Sequence, residues 1–293
     1  NLSEVVVRES DSLDSLKRKV RLSTILGTFQ STLTNFKYLR NIWKKNTEEE
    51  RLLGVSLTGI MDNKMTSTTG NTLEVVLEVL RDTAVQTNAA MAKQLGIPQS
   101  TAVTCVKPSG TVSQLVDSAS GIHARFSDYY IRRVRNDLKD PVTTFLIEAG
   151  VPWEQDVMNP ETVVFSFPMR APDGAVTVDE QTALSQLELW EVYQDSWCEH
   201  KPSVTVYYSD DEFLSIGQWL WDKLDKCSGV SLLPRTDHVY SQAPYESIDR
   251  DTYEELSKEM PTELDWSILD GMENGDNTIG AQTLACVSGQ CEI

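Results

Sequence analysis

A short apolar segment that ends abruptly at a proline and a glycine constrains the fold of this chain more than any other feature. Residues 101–106 (TAVTCV) are apolar and β-branched, which predicts a buried strand. The segment breaks at residues 107–110 (KPSG), and apolar residues then resume at helical spacing. Pro108 fixes φ, Ser109 can cap a helix, and Gly110 lets the backbone approach a ligand closely. The sequence therefore predicts a strand that turns directly into a helix.

Such a turn presents free amide groups to whatever lies in front of it. The N–H groups of Gly110, Thr111, Val112 and Ser113 would precede or open the helix, where no carbonyl of the same helix accepts them. An anion is the natural ligand for these groups, and a phosphate is the anion we expect. Taken alone, such a short turn favours an ordinary strand-to-helix connection with a serine cap over an anion site.

Strands and helices alternate along the first third of the chain. Residues 2–7 and 52–60 have strand character, with glycines in the second that indicate close backbone approach. Residues 12–45 predict one long helix or two, and residues 73–95 predict another, closed by Gly96. This alternation is typical of a parallel α/β fold, in which the loops at the carboxyl ends of the strands carry the chemistry.

Apolar side chains recur at three- and four-residue intervals within residues 12–45. This spacing predicts that they face the core. They are Leu22, Leu26, Phe29, Leu33, Phe36, Leu39 and Trp43.

Further elements follow the turn. Residues 162–168 and 203–208 predict strands, and helices are expected at residues 141–150, 182–200 and 210–226.

Composition limits the possible functions. The chain has 293 residues, of which 40% are hydrophobic, enough for one large or two modest domains, and no apolar run approaches the ~18 residues that cross a bilayer. Its net charge of -18 would repel nucleic acid. Neither a secretion signal nor a disulfide framework is present, so a reducing cytoplasm is expected. Because the chain starts at Asn1, directly on a strand, we expect it to be part of a longer protein.

The five cysteines fall into two groups. Cys105, Cys198 and Cys227 are expected to be unreactive, and none is assigned any chemistry. Cys286 and Cys291 are separated by four residues in a tail rich in Gly, Asn, Asp, Thr and Ser, so they can act as a dithiol on a mobile segment. The alternatives are half of a zinc site, which lacks its other ligands, and two accidental thiols. We expect no metal.

Several long blocks, in order, resemble one enzyme family. They are KPSGTVSQL, SGIHARFSDYYIRRVR, WCEHKPSVTVYYS, LLPRTDHVYSQAPYE and CVSGQCEI. Together they resemble the C-terminal part of adenosylcobalamin-dependent (class II) ribonucleotide reductases of the monomeric ribonucleoside-triphosphate reductase type. The resemblance implies the second half of a ten-stranded α/β barrel at residues 1–236, an extension at 237–269 and a flexible redox tail at 270–293.

The resemblance also assigns sites. Ser109, Gly110, Thr111 and Val112 would hold the substrate phosphates. Cys286 and Cys291 would return electrons from a thioredoxin-type reductant to an active-site disulfide. The remaining residues of the second block have no assignable role, and a structural face is an open alternative for them: His123, Arg125, Tyr129, Tyr130, Arg132 and Arg133.

The family's radical cysteine lies in an N-P-C-x-E motif, which this sequence lacks. The resemblance therefore implies that an upstream catalytic part of the same protein supplies it, that adenosylcobalamin is the cofactor, and that this chain alone is inactive. One alternative is a non-catalytic subunit of a split reductase that docks on a catalytic partner and relays electrons. Another is a phosphosugar-type α/β enzyme unrelated to radicals.

Overall fold

The structure is a computed structural model that describes residues 1–235 and 241–272. The strands are β1 (Leu2–Val6), β2 (Gly54–Thr58), β3 (Thr104–Cys105), β4 (Tyr129–Asp137), β5 (Trp153–Gln155), β6 (Thr162–Arg170), β7 (Thr205–Tyr208), β8 (Ser231–Pro234) and β9 (Tyr245–Ser247). The α-helices are α1 (Leu13–Gln30), α2 (Asn41–Glu50), α3 (Lys64–Ser67), α4 (Asn71–Leu95), α5 (Val112–Leu115), α6 (Pro141–Glu148), α7 (Ala183–Ser196), α8 (Phe213–Asp222), α9 (Arg250–Glu259) and α10 (Leu269–Met272).

The described chain divides into two compact units. The first unit contains residues 1–125 and 172–235, and the second contains residues 126–171 and 241–272. The predicted α/β class is confirmed, because helices and strands alternate and the first unit contains two parallel sheets, β1-β2-β3 and β7-β8. Within the described residues the sheets have three, four and two strands, and none of them closes into a barrel.

The first unit is built on a parallel sheet of order β1-β2-β3. All five residues of β2 are buried, as expected for a central parallel strand. Gly54 is needed there, because an added Cβ would lie 2.5 Å from Leu2 Cδ2 and 3.2 Å from Cys105 Sγ. The close backbone approach predicted for this segment is confirmed at Gly59, where an added Cβ would overlap the carbonyl oxygen of Val7. Helices α1, α4 and α7 supply much of the remaining core, including the fully buried Trp190.

The predicted apolar stripe is not the buried face of α1. Leu22, Leu26 and Phe29 are 62%, 65% and 48% exposed. Helix α1 instead buries a face with small and polar residues, on which Gly27 lies where an added Cβ would be 3.2 Å from Leu53. Close approach of the helix to the sheet favours this small-residue face over the bulkier leucine face. The predicted region is also divided, because α1 ends at Gln30 and α2 starts at Asn41, where Trp43 is exposed.

The second unit contains an antiparallel sheet of order β5-β6-β4-β9. Its core includes Phe145 and Leu146 of α6 and Val163 and Phe165 of β6. The sequence analysis predicted β6 but not β4, whose arginines obscure the strand pattern. In the structure Arg133 pairs with Glu246, Arg135 pairs with Asp156, and Arg132 stacks on the Tyr245 ring.

Within residues 1–235 and 241–272, no helix is both long and apolar enough to cross a bilayer.

Candidate functional site

The predicted strand-to-helix turn lies in the first unit, after β3. Strand β3 is only two residues long, and the backbone leaves the sheet through Lys107 and Pro108 before α5 begins at Val112. Gly110 has φ +55°, a left-handed conformation that glycine adopts at little cost. An added Cβ at this position would meet open space, so the conformation alone explains the glycine.

The amide groups of the turn are open to solvent. Gly110, Thr111 and Val112 are exposed. The N–H groups of Gly110 and Thr111 donate no hydrogen bond to any described residue, whereas Val112 donates to Ser109 O at 3.1 Å. The turn therefore presents two unused donors, as an anion site requires. Whether they bind phosphate stays a prediction.

Ser109 does not cap the helix as the sequence analysis expected. Its side chain is buried, and Ser109 Oγ is hydrogen bonded to Ser120 Oγ at 2.7 Å. Helix α5 is preceded by Thr111 instead, with no side-chain cap. The hydroxyl of Ser109 thus connects the turn to the segment after α5.

A buried ion pair holds that following segment in place. Asp62 Oδ1 accepts from Arg125 Nε at 2.8 Å, and Asp62 Oδ2 accepts from Arg125 Nη2 and from the Ala119 amide, both at 2.9 Å. Arg125 also pairs with Asp117 at 2.7 Å. A bidentate arginine–carboxylate pair has a fixed geometry, so it fixes the loop that carries Ser120. Arg125, which had no role from sequence, positions the turn through this loop.

His123 ties the same loop to β7. Its Nδ1 lies 2.8 Å from Ser120 O and must donate, and its Nε2 accepts from the Thr205 amide at 3.0 Å. Both contacts require the neutral ring with its proton on Nδ1. Burial lowers the pKa of His123, and the bond to Ser120 O only partly opposes this shift.

This arrangement predicts a pH-dependent stability. A group whose pKa is lowered on folding contributes fully above its unfolded pKa, and that contribution is lost as pH falls toward the folded pKa. We expect the unfolding free energy to decrease below pH 6.5, by up to about 1.4 kcal/mol per pH unit. Urea unfolding of the chain and of His123→Gln between pH 5 and 8 measures this. Parallel pH curves for the two proteins would rule out His123 as the cause.

A second group of polar residues lies on the sheet beside the turn. Lys107 Nζ is 3.7 Å from Glu4 Oε2, and the Lys107 amide donates to Ser56 Oγ at 3.1 Å. Cys105 is adjacent, and burial raises the pKa of its thiol to about 11. That thiol is protonated at neutral pH, which supports the expectation that it is unreactive. The sequence analysis missed Glu4, although a lone acidic residue in the apolar strand LSEVVVR was a usable signal.

Of the other four cysteines, two lie in the described residues and two lie outside them. Burial raises the pKa of Cys198 and of Cys227, which supports the same expectation for both. Cys286 and Cys291 lie outside the described residues, so their redox role stays a prediction.

The first unit thus has an exposed turn with unused amide donors at the carboxyl end of a parallel strand, the position at which α/β enzymes bind their ligands.

No protein-family model matches the chain. The chain is similar to curated adenosylcobalamin-dependent ribonucleoside-triphosphate reductases. It is 27% identical to that of Lactobacillus acidophilus over 79% of the chain and 35% of the relative. It is 31% identical to that of Euglena gracilis over 77% of the chain and 32% of the relative.

A solved structure has the same fold. The crystal structure of a B12-dependent (class II) ribonucleotide reductase superposes with a TM-score of 0.78 at 23% identity, over 89% of this chain and 40% of the solved chain. The chain thus spans about a third of the length of the curated relatives it matches. The resemblance found in the sequence is confirmed: this chain is a homologue of part of the adenosylcobalamin-dependent ribonucleotide reductases.

The described residues do not form a site that fits the cobalt of a cobalamin. His123 uses both ring nitrogens internally, and His200 Nε2 is bonded to Leu53 O at 2.6 Å. No cluster of three or more His, Cys, Asp or Glu suited to a metal ion occurs in residues 1–235 and 241–272. We therefore derive no chemical step through the cofactor from these residues.

Proposed function

We propose that this chain is the C-terminal portion of an adenosylcobalamin-dependent enzyme that reduces ribonucleoside triphosphates to 2′-deoxyribonucleoside triphosphates. The exposed turn with its two unused amide donors is the observation that carries the proposal. It lies where an α/β enzyme binds its ligand, in a chain whose curated relatives are reductases of this name.

In this proposal the turn holds the substrate phosphates. The unused amides of Gly110 and Thr111 donate to the anion, Ser109 and Val112 shape the turn through their mutual backbone hydrogen bond, and Lys107 supplies a positive charge nearby. Reduction at the ribose 2′ carbon needs a substrate held in one orientation, and fixed N–H donors provide this with little reorganisation.

In this proposal the other catalytic groups come from different segments of a longer protein. We assign residues 1–236 to the second half of a ten-stranded barrel, residues 237–269 to an extension and residues 270–293 to a redox tail. The radical-carrying cysteine comes from an upstream catalytic part, which would also hold adenosylcobalamin, the cofactor that would supply the radical chemistry. Cys286 and Cys291 pass electrons from a thioredoxin-type reductant to the active site.

A proline at the turn tests the phosphate assignment. Thr111 has φ −81°, which is compatible with proline, and its amide has no partner among the described residues, so Thr111→Pro removes a ligand donor at little cost in folding. A hydrogen bond to a charged group contributes about 1.5–3 kcal/mol. We expect the KM of the full-length reductase for ribonucleoside triphosphate to rise roughly 10- to 100-fold.

Thr111→Ala is the matched control, because it removes the side chain and keeps the amide. Its KM should stay close to that of the wild type. Equal KM values for Thr111→Pro and Thr111→Ala, with both proteins folded by circular dichroism, would contradict a phosphate site at the turn.

A further inference from the structure

A row of polar side chains crosses one face of the parallel sheet β1-β2-β3. The strand register places Glu4 beside Ser56, and Ser56 beside Cys105. Neighbouring residues in register point to the same side of a sheet, so these three side chains form a row across it. The alternate residues Val5 and Leu57 belong to the hydrophobic core. A polar row therefore lies opposite the apolar face of the same sheet.

The carboxylate of Glu4 is the unusual member of this row. Its side chain is 8% exposed, and neither oxygen has a hydrogen-bond partner among the described residues. The ammonium group of Lys107, at 3.7 Å, is beyond hydrogen-bond distance. Burying a carboxylate without hydrogen-bond donors costs free energy of folding. Such a group in a folded protein therefore needs a specific explanation.

Lys107 connects this carboxylate to the phosphate turn. Its Nζ donates to Pro108 O at 3.3 Å, and Pro108 immediately precedes Ser109 of the turn. The ammonium group thus contacts both the carboxylate of Glu4 and the segment that leads into the turn. A ligand anchored by phosphate at the turn can draw this flexible side chain toward its charge and expose the carboxylate.

We infer that Glu4 is a substrate-binding residue whose carboxylate accepts hydrogen bonds from the sugar hydroxyls of the nucleotide held at the turn. This inference rests on the proposed function. An ionised carboxylate only accepts hydrogen bonds, and its two oxygens match the two adjacent hydroxyl donors of a ribose. Burial raises the pKa of Glu4 against the opposing effect of Lys107, so donors from the ligand would stabilise the charged form.

The test measures binding by the full-length reductase. Ribonucleoside triphosphate, analogues that lack the 2′- or the 3′-hydroxyl, and inorganic triphosphate are titrated into the wild type, Glu4→Gln and Glu4→Ala. We expect the wild type to prefer the ribonucleotide over at least one analogue by roughly 10-fold or more. Glu4→Ala should lose this preference and Glu4→Gln should reduce it, while inorganic triphosphate binds all three proteins equally.

The exposed Glu9 provides the matched control. Glu9→Gln should keep the full preference for the ribonucleotide. If Glu4→Ala does not fold, the isosteric Glu4→Gln carries the comparison. Retention of the wild-type preference in the Glu4 variants overturns the inference but leaves the proposed function intact. Failure of the wild type to bind any nucleotide overturns both.

Discussion

Replacing Cys286 and Cys291 by serine in the full-length reductase is expected to abolish multiple turnover with a thioredoxin-type reductant. In the proposed cycle, a tail thiolate attacks the active-site disulfide and forms a mixed disulfide, which the second tail thiol resolves. The active-site dithiol is regenerated, the tail becomes a disulfide, and the external dithiol reduces the tail in the same way. Serine can perform neither attack, so electrons from a protein reductant no longer reach the active site.

A small dithiol distinguishes this loss from damage to the active site. It can diffuse to the active-site disulfide without a relay, so turnover of the double variant with it should match that of the wild type. Replacing the half-buried Cys227 by serine provides a cysteine control that should keep both activities. The relay assignment is wrong if the double variant retains turnover with the protein reductant, or if it loses both activities while still folded.

Removal of the Asp62 carboxylate is expected to have the largest effect on stability. The side chains of Asp62 and Arg125 are 2% and 4% exposed, and the carboxylate accepts two hydrogen bonds from Arg125 and one from Ala119. Asp62→Ala leaves the buried guanidinium of Arg125 without its bidentate carboxylate partner. Breaking a buried pair in this way costs about 3–5 kcal/mol. Urea unfolding followed by tryptophan fluorescence measures the loss.

An exposed ion pair in the same unit supplies the comparison. Lys45 and Glu49 lie 3.9 Å apart on α2, with side chains 68% and 63% exposed. Glu49→Ala should change the unfolding free energy by less than about 1 kcal/mol. Comparable losses in Asp62→Ala and Glu49→Ala would show that the buried pair does not hold the loop behind the turn.

The elements that sequence predicted well are those whose local pattern agrees with their tertiary environment. Strand β2 contains the β-branched Val55 and Thr58 and is buried throughout. The break at Pro108 to Gly110 marks the turn after β3 from local sequence alone. Strand β4 was missed because Arg133 and Arg135 are charged in sequence, yet in the structure they are paired with acidic residues from other segments. Those partners are distant in sequence, and no local pattern reveals them.

The error on α1 has a different origin. Periodicity identifies which side chains share a helix face, but it does not identify which face the sheet covers. The face of α1 with Gly27 packs on the sheet, because the backbones can approach closely there, and Leu22 and Leu26 remain exposed. The unpaired carboxylate of Glu4 likewise follows from the register of three strands, which a sequence alone does not fix.

The most direct test of the central claim is the formation of deoxyribonucleotide by the full-length protein that contains this chain. Purified protein is incubated with a ribonucleoside triphosphate and a small dithiol, with and without adenosylcobalamin, and the 2′-deoxyribonucleoside triphosphate is quantified by chromatography. We expect product only with adenosylcobalamin, and none from the 293-residue chain alone. Product formation that does not require adenosylcobalamin, or no product from the full-length protein under any of these conditions, would contradict the assignment.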